Sequence, residues 1–322
     1  MLHIGADQID SLVRYNDLVD TLDAAFREHI HAPVRHHHTV ERPDGAASTL
    51  LLMPAWSDFD ALPNGSADGF MGVKIATVSP DNGAVGKPSV MGLYLLMDGK
   101  TGEPVALIDG QRLTVKRTAA ASALAARYLA REDASRLLVV GAGALAPELA
   151  RAHSAVRPIK TIRIWNRSLS GAARAAEKLQ AEGFQAEACE DLDTALGEAD
   201  IISAATLSTE PLVKGALVKP GTHVDLVGAF APSMRESDDE LMRHARVYVD
   251  TRGGALKEAG DLIQAMAAGA LAEADIVADL HELARGTATG RTNDLKTTVF
   301  KSVGASLEDL AAAIDIYRRA TA

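Results

Sequence analysis

Apolar residues repeat with a helical period near the start of the chain and in short strand-like runs after it. Between residues 7 and 30 the spacing predicts an amphipathic helical region. From residue 32 to about 110 the apolar runs are separated by Gly, Pro, Asp and Asn. These runs predict a mostly antiparallel sheet: STLLLMPAW, FMGVKIATV, SVMGLYLLMD and PVALIDG. An alanine-rich helix over 114–130 follows, with Thr114 as its expected N-cap.

A regular alternation of apolar strands and helices begins at residue 137. RLLVVGAG, TIRIWNR, ADIISAAT and HVDLVGAF are typical of buried strands, and helix-forming segments connect the first of them. Strands joined by such helices form a parallel sheet through right-handed crossovers. The chain ends in SLEDLAAAIDIYRRATA, which predicts a last helix with Ser306 as N-cap and Asp309 in the first turn.

The two patterns divide the chain into two lobes of one α/β protein. We expect a β-rich α+β lobe over residues 1–116, against which the last segment, about 301–322, packs. Residues 117–300 would form the domain with the parallel sheet. In this interpretation the first lobe binds the substrate and forms the dimer, and the second binds a dinucleotide.

Composition excludes several classes of protein. The 322 residues carry a net charge of −10 and scattered basic residues, so electrostatic binding of nucleic acid is not expected. No apolar run reaches the roughly 18 residues that a membrane span requires, and the first residues do not have the pattern of a secretory signal. Cys189 is the only cysteine, which fits a reducing compartment. We therefore expect a cytoplasmic protein that acts on a small molecule.

The segment after the strand RLLVV has the spacing of a dinucleotide-binding turn. It matches G-x-G-x-x-A, in which the first glycine permits a tight turn and the second lets the backbone approach a pyrophosphate. Free N–H groups at the start of the following helix favour the phosphates. This turn predicts a Rossmann-type domain, with a glycine turn of another α/β sheet as the alternative. The predicted cofactor-binding residues are Gly141, Ala142, Gly143, Ala144 and Leu145.

The end of the next strand bears on the choice between the two nicotinamide dinucleotides. NAD enzymes usually carry an acidic residue there, which accepts hydrogen bonds from the ribose hydroxyls. This sequence has Asn166, Arg167 and Ser168 instead. A guanidinium can hold the 2′-phosphate that a carboxylate would repel, so we expect NADP(H) to be preferred, with NAD(H) as the alternative. The alternative for Arg167 is a solvated arginine at a helix start.

Three cations of the first lobe lie close to strand-like segments: Arg35, Lys74 and Arg117. Each alone could be an ordinary surface charge. Lys74 is the least ordinary, because apolar residues flank it in a strand that we expect to be buried, and a buried lysine needs a partner or a chemical role. The three histidines at 36–38 alternate between the faces of a strand, so they cannot all bind one ion, and we expect no metal site.

Many segments of the chain, in collinear order from about residue 30 to the C-terminus, resemble the ornithine cyclodeaminase/mu-crystallin family. They are PVR, LMPAW, VKIA, DGQRLTVKRTAAASALAARYLA, GAGALA, IWNRS, TLSTEPLV, KPGTHVDLVGA, RESDDELM, LKEAGD and KTTVFKSVG. The resemblance implies a homodimer, in which the first lobe pairs two subunits through a β-sheet, and a Rossmann lobe. It also implies a nicotinamide cofactor and a small α-amino or α-imino acid as substrate.

Carried over by position, the resemblance assigns residues to the site. Arg35, Lys74 and Arg117 would bind the substrate carboxylate, which suits guanidinium and ammonium groups. Glu258 or Lys74 would act as the general acid. Besides the glycine turn and residues 166–168, the expected cofactor contacts are Ser89, Arg117, Thr118, Thr206 and Lys301.

The sequence departs from part of the family in the loop GAFAP. Ornithine cyclodeaminases and the related alanine dehydrogenases carry an aspartate where this chain has Phe230, and phenylalanine can neither transfer a proton nor bind an amine. The nearby Asp225 could replace that carboxylate or belong to a buried hydrogen-bond network. Reduction of a preformed imine mainly needs orientation beside the cofactor, and Phe230 would cover the methylene ring as part of the substrate site.

The GAFAP loop and the MRE that follows resemble the bacterial Δ1-pyrroline-2-carboxylate reductases of the family. We therefore expect an NAD(P)H-dependent ketimine reductase that converts Δ1-pyrroline-2-carboxylate to L-proline, or Δ1-piperideine-2-carboxylate to L-pipecolate. An alanine-type dehydrogenase and an ornithine cyclodeaminase are the enzymatic alternatives. A non-catalytic, crystallin-like protein that binds a nucleotide or ligand is the alternative from another class.

Overall fold

The computed structural model describes residues 1–28, 30–58 and 69–322. These residues form two compact units, Met1–Thr118 with Ala305–Ala322, and Ala119–Gly304. Within the described ranges, no helix combines the length and the apolar character that crossing a membrane requires.

The first unit is built on a mostly antiparallel sheet, as predicted. Over the described residues its strands, numbered along the chain, are β1 (Leu2–Ile4), β2 (Ile30–His31), β3 (His36–Val40), β4 (Ser48–Ser57), β5 (Phe70–Val78), β6 (Val90–Asp98) and β7 (Pro104–Asp109). They lie in the order β1-β7-β6-β5-β4-β2, and β3 also pairs with β4. Only the pair of β1 and β7 is parallel among these pairings.

The helices that begin in the first unit differ in several details from the sequence interpretation. The helical region at 7–30 is two helices, α1 (Ala6–Leu12) and α2 (Tyr15–Arg27), because Val13 and Arg14 have extended backbone. Helix α3 begins at Gly110 and ends at Leu129, so the predicted N-cap Thr114 lies inside it and donates its hydroxyl to Gly110 O.

The last helix of the first unit, α11 (Ser306–Thr321), has Ala305 at the N-cap position and no side-chain cap. The prediction of Ser306 as N-cap is therefore wrong. Helix α11 packs on β4, β5 and β6, whose residues facing the helix side include Met53, Lys74 and Tyr94, all buried. The helix thus places its first turn next to the middle of the sheet.

The second unit is a parallel sheet connected mainly by helices. Its strands over the described residues are β8 (Arg136–Val140), β9 (Thr161–Trp165), β10 (Ala186–Cys189), β11 (Ile201–Ala204), β12 (His223–Leu226), β13 (Arg246–Val249), β14 (Ile276–Asp279) and β15 (Thr298–Lys301). Its helices are α4 (Leu145–Val156), α5 (Leu169–Ala181), α6 (Leu192–Glu198), α7 (Asp239–His244), α8 (Arg252–Glu258), α9 (Gly260–Ala267) and α10 (Leu280–Ala284).

The strand order of the second unit is β10-β9-β8-β11-β12-β15-β13-β14, with all pairs parallel. The first five strands have the order of a Rossmann fold, in which the direction of winding reverses between β8 and β11. The predicted fold class, a Rossmann-type sheet with a second β-rich unit, is confirmed. Ligands of such sheets bind at the carboxyl ends of the strands beside this reversal.

Candidate functional site

Lys74 lies in the middle of the sheet of the first unit, on the face that α11 covers. It pairs across the sheet with Met53 of β4 and Tyr94 of β6, and only 3% of the residue is exposed. Its Nζ donates to Oδ1 of Asp309 at 2.8 Å. The buried strand position predicted for Lys74 is therefore present, and its partner comes from the first turn of α11.

Arg117 of α3 belongs to the same cluster. Its Nε donates to Oδ1 of Asp309 at 2.8 Å, and its Nη1 donates to Oε2 of Glu308 at 2.7 Å. Both carboxylates are fully buried. Buried charges are tolerated when they are paired and hydrogen-bonded in this way. We call Lys74, Arg117, Glu308 and Asp309 the ion cluster.

The ion cluster shifts the pKa values of its members. Burial and the charge of Arg117 lower the pKa of Lys74 to about 8, against the opposing effect of Asp309. Burial would raise the pKa of Asp309, but the charges of Arg117 and Lys74 outweigh it and lower that pKa. The charge of Arg35 acts on both Lys74 and Asp309. The three predicted cations are thus close enough to act on one another. Because Glu308 and Asp309 balance two of their positive charges, one positive charge remains to attract an anion.

Sequence reasoning missed three members of this region. Glu308 and Asp309 have the pattern of ordinary first-turn acids of a helix, and nothing local to them indicates a partner far away in the chain. Tyr94 carries no signal in the sequence either. Its hydroxyl is fully buried, has no hydrogen-bond partner among the described residues, and lies where a Cβ on Gly72 would meet it at 2.2 Å. Burial and the charge of Asp309 raise the pKa of Tyr94, so the hydroxyl stays neutral.

In the second unit, the glycine turn lies at the carboxyl end of β8, beside the end of β11. Gly141 has a φ of +111°, and a Cβ there would lie 2.6 Å from Ala205 O. A Cβ on Gly143 would have no atom within 4 Å. Helix α4 follows without a side-chain cap, so N–H groups of its first turn have no side-chain acceptor at the N-cap. Backbone of this shape fits a pyrophosphate.

Residues 166–168 follow β9, the strand next to β8. Asn166 donates its side-chain Nδ2 to Ser168 O at 3.1 Å, and the Ser168 hydroxyl lies 2.9 Å from that of Ser170. Arg167 is exposed, and no hydrogen bond or ion pair engages its side chain within the described ranges. A guanidinium in this position remains available for an anion.

A second set of buried charges lies at the carboxyl ends of β11, β12 and β15. Glu236 accepts hydrogen bonds from Thr206, Gly228 and Ala229. Burial raises the pKa of Glu236 to about 7, with Lys301 opposing and Asp261 adding to the shift. Lys301 is fully buried, donates to Leu226 O at 3.1 Å and lies 3.4 Å from Asp261 Oδ2. Lys301 is therefore already engaged inside the unit.

The remaining predicted residues occupy separate positions. In the first unit, Ser89 precedes β6 and accepts from Ser79 N through its carbonyl, and Thr118 is half-buried in α3. In the second unit, Phe230 of the GAFAP loop packs on the apolar core, and Glu258 is the buried last residue of α8.

Asp225 belongs to a buried network instead of an open site. Its carboxylate accepts hydrogen bonds from Ser203 Oγ at 2.6 Å and from Ser122 Oγ at 3.0 Å, and its Oδ2 lies 3.4 Å from His153 Nε2. All four side chains are buried. Of the two alternatives for Asp225, the structure supports the buried network.

Comparison with known proteins shows which proteins the chain is similar to. The sequence model of the ornithine cyclodeaminase/mu-crystallin family matches residues 4–322. A Δ1-pyrroline-2-carboxylate reductase of Paracoccus denitrificans is 42% identical over 250 residues, which cover 77% of this chain and 78% of that protein.

Among the solved structures that resemble the chain over its whole length are two with a bound nicotinamide dinucleotide. The Δ1-pyrroline-2-carboxylate reductase of Thermococcus litoralis, in complex with NADH and L-proline, has a TM-score of 0.92 and 32% identity, with coverage of 100% of this chain and 98% of that one. An archaeal alanine dehydrogenase dimer with bound NAD has a TM-score of 0.88 and 27% identity, covering 100% of this chain and 96% of that one.

Proposed function

Because the chain belongs to the ornithine cyclodeaminase/mu-crystallin family, we propose that it is an NAD(P)H-dependent reductase of cyclic imino acids. The proposed reaction converts Δ1-pyrroline-2-carboxylate to L-proline, and Δ1-piperideine-2-carboxylate to L-pipecolate by the same chemistry. The observation that carries the proposal is the buried ion cluster, in which Lys74 has a lowered pKa. The predicted family is confirmed. The predicted class of enzyme, an oxidoreductase, is also confirmed, because the relatives of the chain include Δ1-pyrroline-2-carboxylate reductases.

The substrate carboxylate is assigned to the cations of the first unit. Arg35 and Arg117 offer guanidinium groups, which match a planar carboxylate. Since Arg117 already holds Glu308 and Asp309, its orientation is fixed before an anion arrives. Preorganisation of this kind reduces the cost of ordering the side chain on binding.

Reduction of a C=N bond requires a proton on nitrogen and a hydride on carbon. Bound NAD(P)H supplies the hydride. Lys74 is our choice for the proton donor, because a pKa of about 8 keeps it protonated at neutral pH and still lets it release the proton. Glu258 is the second candidate, buried at the end of α8.

The GAFAP loop favours imine reduction over cyclodeamination. Phe230 cannot serve as the acid, base or amine-binding group that the aspartate of the cyclodeaminases would be. Asp225 cannot readily replace it, because two serines and His153 already occupy its carboxylate. An apolar side chain suits the methylene groups of a cyclic imine.

The backbone of the glycine turn fits a dinucleotide, and Arg167 supports NADP(H) over NAD(H). Arg167→Ala should raise the Kd for NADPH by about tenfold and leave that for NADH almost unchanged, because only NADPH carries the 2′-phosphate. Arg174→Ala, an exposed arginine of the following helix, is the matched control and should change neither Kd. Equal losses for both cofactors in Arg167→Ala would contradict the assignment.

The decisive experiment follows the oxidation of NADPH and of NADH by absorbance with three additions in parallel: Δ1-pyrroline-2-carboxylate, pyruvate with ammonia, and buffer alone. We expect turnover with the cyclic imine and formation of L-proline. Turnover only with pyruvate and ammonia would instead identify an alanine-type dehydrogenase. Cofactor binding without any turnover would favour the crystallin-like binding protein.

We propose a homodimer formed through the sheet of the first unit. On the side of β6 away from α11, Met91 and Leu93 are 42% and 38% exposed, and Ile75 of β5 lies opposite Leu93 in the same sheet. Apolar side chains grouped on a sheet surface in this way are typical of an interface between subunits.

A further inference from the structure

The carboxylate of Glu236 joins two loops of the second unit. Its Oε1 accepts from Thr206 N at 2.7 Å and from Thr206 Oγ1 at 2.9 Å. Its Oε2 accepts from Gly228 N at 2.7 Å and from Ala229 N at 3.3 Å. Thr206 follows β11 and the other two residues follow β12, so one side chain links the ends of two adjacent parallel strands.

The backbone of Glu236 is itself hydrogen-bonded to other residues of the second unit. Its N–H donates to Asp261 Oδ1 at 2.9 Å, and its carbonyl accepts from Leu212 N and Val213 N. Asp261 in turn lies 3.4 Å from Lys301 Nζ through its second oxygen. Burying a carboxylate is costly, yet no part of Glu236 is exposed. The loops are therefore joined to a buried carboxylate whose own backbone is hydrogen-bonded through both its N–H and its carbonyl.

The two loops lie against each other and against the glycine turn. A Cβ on Gly228 would lie 2.0 Å from Thr206 O, so the approach of the loops requires glycine at this position. A Cβ on Gly141 would lie 2.6 Å from Ala205 O and 3.2 Å from Thr206 Cγ2. The position of the loop at 205–206 thus shapes one wall of the turn that fits the pyrophosphate.

We infer that Glu236 is a positioning residue for the dinucleotide, whose carboxylate fixes the loops after β11 and β12 beside the glycine turn. The inference rests on the proposed function only in requiring that a dinucleotide binds at this edge of the sheet, which is where ligands of Rossmann folds bind. Glu236 contacts no ligand in this role and acts through Thr206, Gly228 and Ala229.

The test is Glu236→Gln, with Glu236→Asp as the second variant. Glutamine keeps the shape of the side chain, but its amide NH2 faces one pair of N–H or O–H donors and cannot accept hydrogen bonds from them. Only the amide oxygen still accepts, so glutamine can hold one loop and not both. Aspartate keeps the charge, which protects the fold, but is one methylene shorter and cannot reach both loops. Glu240→Gln is the matched control, since Glu240 is only partly buried and pairs with His244 at 3.0 Å.

Two measurements distinguish a positioning role of Glu236 from a general loss of stability. We expect the Kd for NADPH and NADH, measured by cofactor fluorescence, to rise by about tenfold in both Glu236 variants at a temperature well below unfolding. Hydrogen exchange should accelerate in peptides covering 205–208 and 227–230 and stay unchanged over β9 and α5. The control Glu240→Gln should match the unmodified chain in both measurements.

Unchanged cofactor affinity with faster exchange in the two loops would overturn the inference, as would exchange that rises evenly over the second unit. The proposed reaction is tested separately. If the unmodified chain binds NADPH but reduces no imine, the proposed function fails while the role of Glu236 stands. If imine reduction is present and Glu236→Gln binds cofactor normally, the role of Glu236 fails alone.

Discussion

At the scale of single residues, the surroundings of Lys74, among them Asp309, decide how readily Lys74 loses its proton. Burial disfavours the ammonium form of Lys74, and the positive charge of Arg117 acts in the same direction. Asp309, 2.8 Å away, is the main group that opposes this loss of the proton. A lysine balanced in this way can give up a proton near neutral pH, which an ordinary lysine cannot do readily.

This balance predicts a pH dependence. The rate of imine reduction should fall as the pH rises through about 8, because Lys74 then loses the proton it must donate. In Asp309→Asn the opposing charge is absent, so the pKa of Lys74 drops further and the fall should move to lower pH, by about one to three units. The measurement is kcat/KM and kcat as functions of pH, from acid to alkaline conditions, for both proteins.

Asp315→Asn is the control for this shift, because Asp315 lies on the same helix and pairs with Arg319 at 2.9 Å, away from the ion cluster. Its profile should coincide with that of the unmodified chain. A profile of Asp309→Asn that keeps the same midpoint would contradict the role of Lys74 as proton donor and leave Glu258 as the candidate.

The sequence indicates the cations of the proposed site but not their partners. The apolar residues that flank Lys74 in its strand are enough to single it out from the sequence alone. Asp309 is 235 positions from Lys74 and 192 positions from Arg117, and its local pattern is that of a first-turn acid in a helix. Only the packing of α11 on the sheet brings them together, so no periodicity or spacing could have predicted the ion cluster.

At the scale of elements, the glycine turn predicts two different effects for two alanine substitutions. Gly141→Ala should lower the free energy of unfolding by roughly 2 kcal/mol, because it forces a side chain into a left-handed backbone and against Ala205 O. Gly143→Ala should change that free energy by less than about 0.5 kcal/mol. It should nevertheless raise the Kd for NADPH by about tenfold, since the added methyl stands where the pyrophosphate approaches.

Urea unfolding without cofactor and fluorescence titration with NADPH measure the two effects independently. Gly253→Ala is the control, because a Cβ there also meets no atom within 4 Å and the residue lies in α8, away from the turn. If Gly143→Ala bound NADPH as tightly as the unmodified chain, the phosphates would not lie at this turn.

Elements with many periodic residues are predictable from the sequence, and short ones are not. The alternation after residue 137 predicts a parallel sheet because its first strands are compact apolar runs, but it does not predict β14 and β15 as strands. Strand β1 has only three residues, too few for a period, and its parallel pairing with β7 depends on a partner about a hundred positions away. The break at Val13 and Arg14 lacks the glycine or proline that usually marks the end of a helix.

At the scale of the whole molecule, the two faces of the first sheet differ in what covers them. Helix α11 covers the face with Lys74 and Tyr94. The other face carries Leu93 at 38% exposure and Met91 at 42%. We propose that a second copy of the chain covers this surface, since grouped exposed apolar side chains are typical of interaction sites.

We expect light scattering to give twice the 33.9 kDa of one chain. Leu93→Glu should shift the protein to one chain, because a dimer would bury the new charge without a partner, whereas a single chain leaves it in water. Val85→Glu is the matched control: Val85 is 69% exposed in the turn at 80–85, outside the sheet, and should leave the dimer intact. A Leu93→Glu protein that stays dimeric would place the interface elsewhere, and an unmodified chain of 33.9 kDa would show that the exposed face does not pair at all.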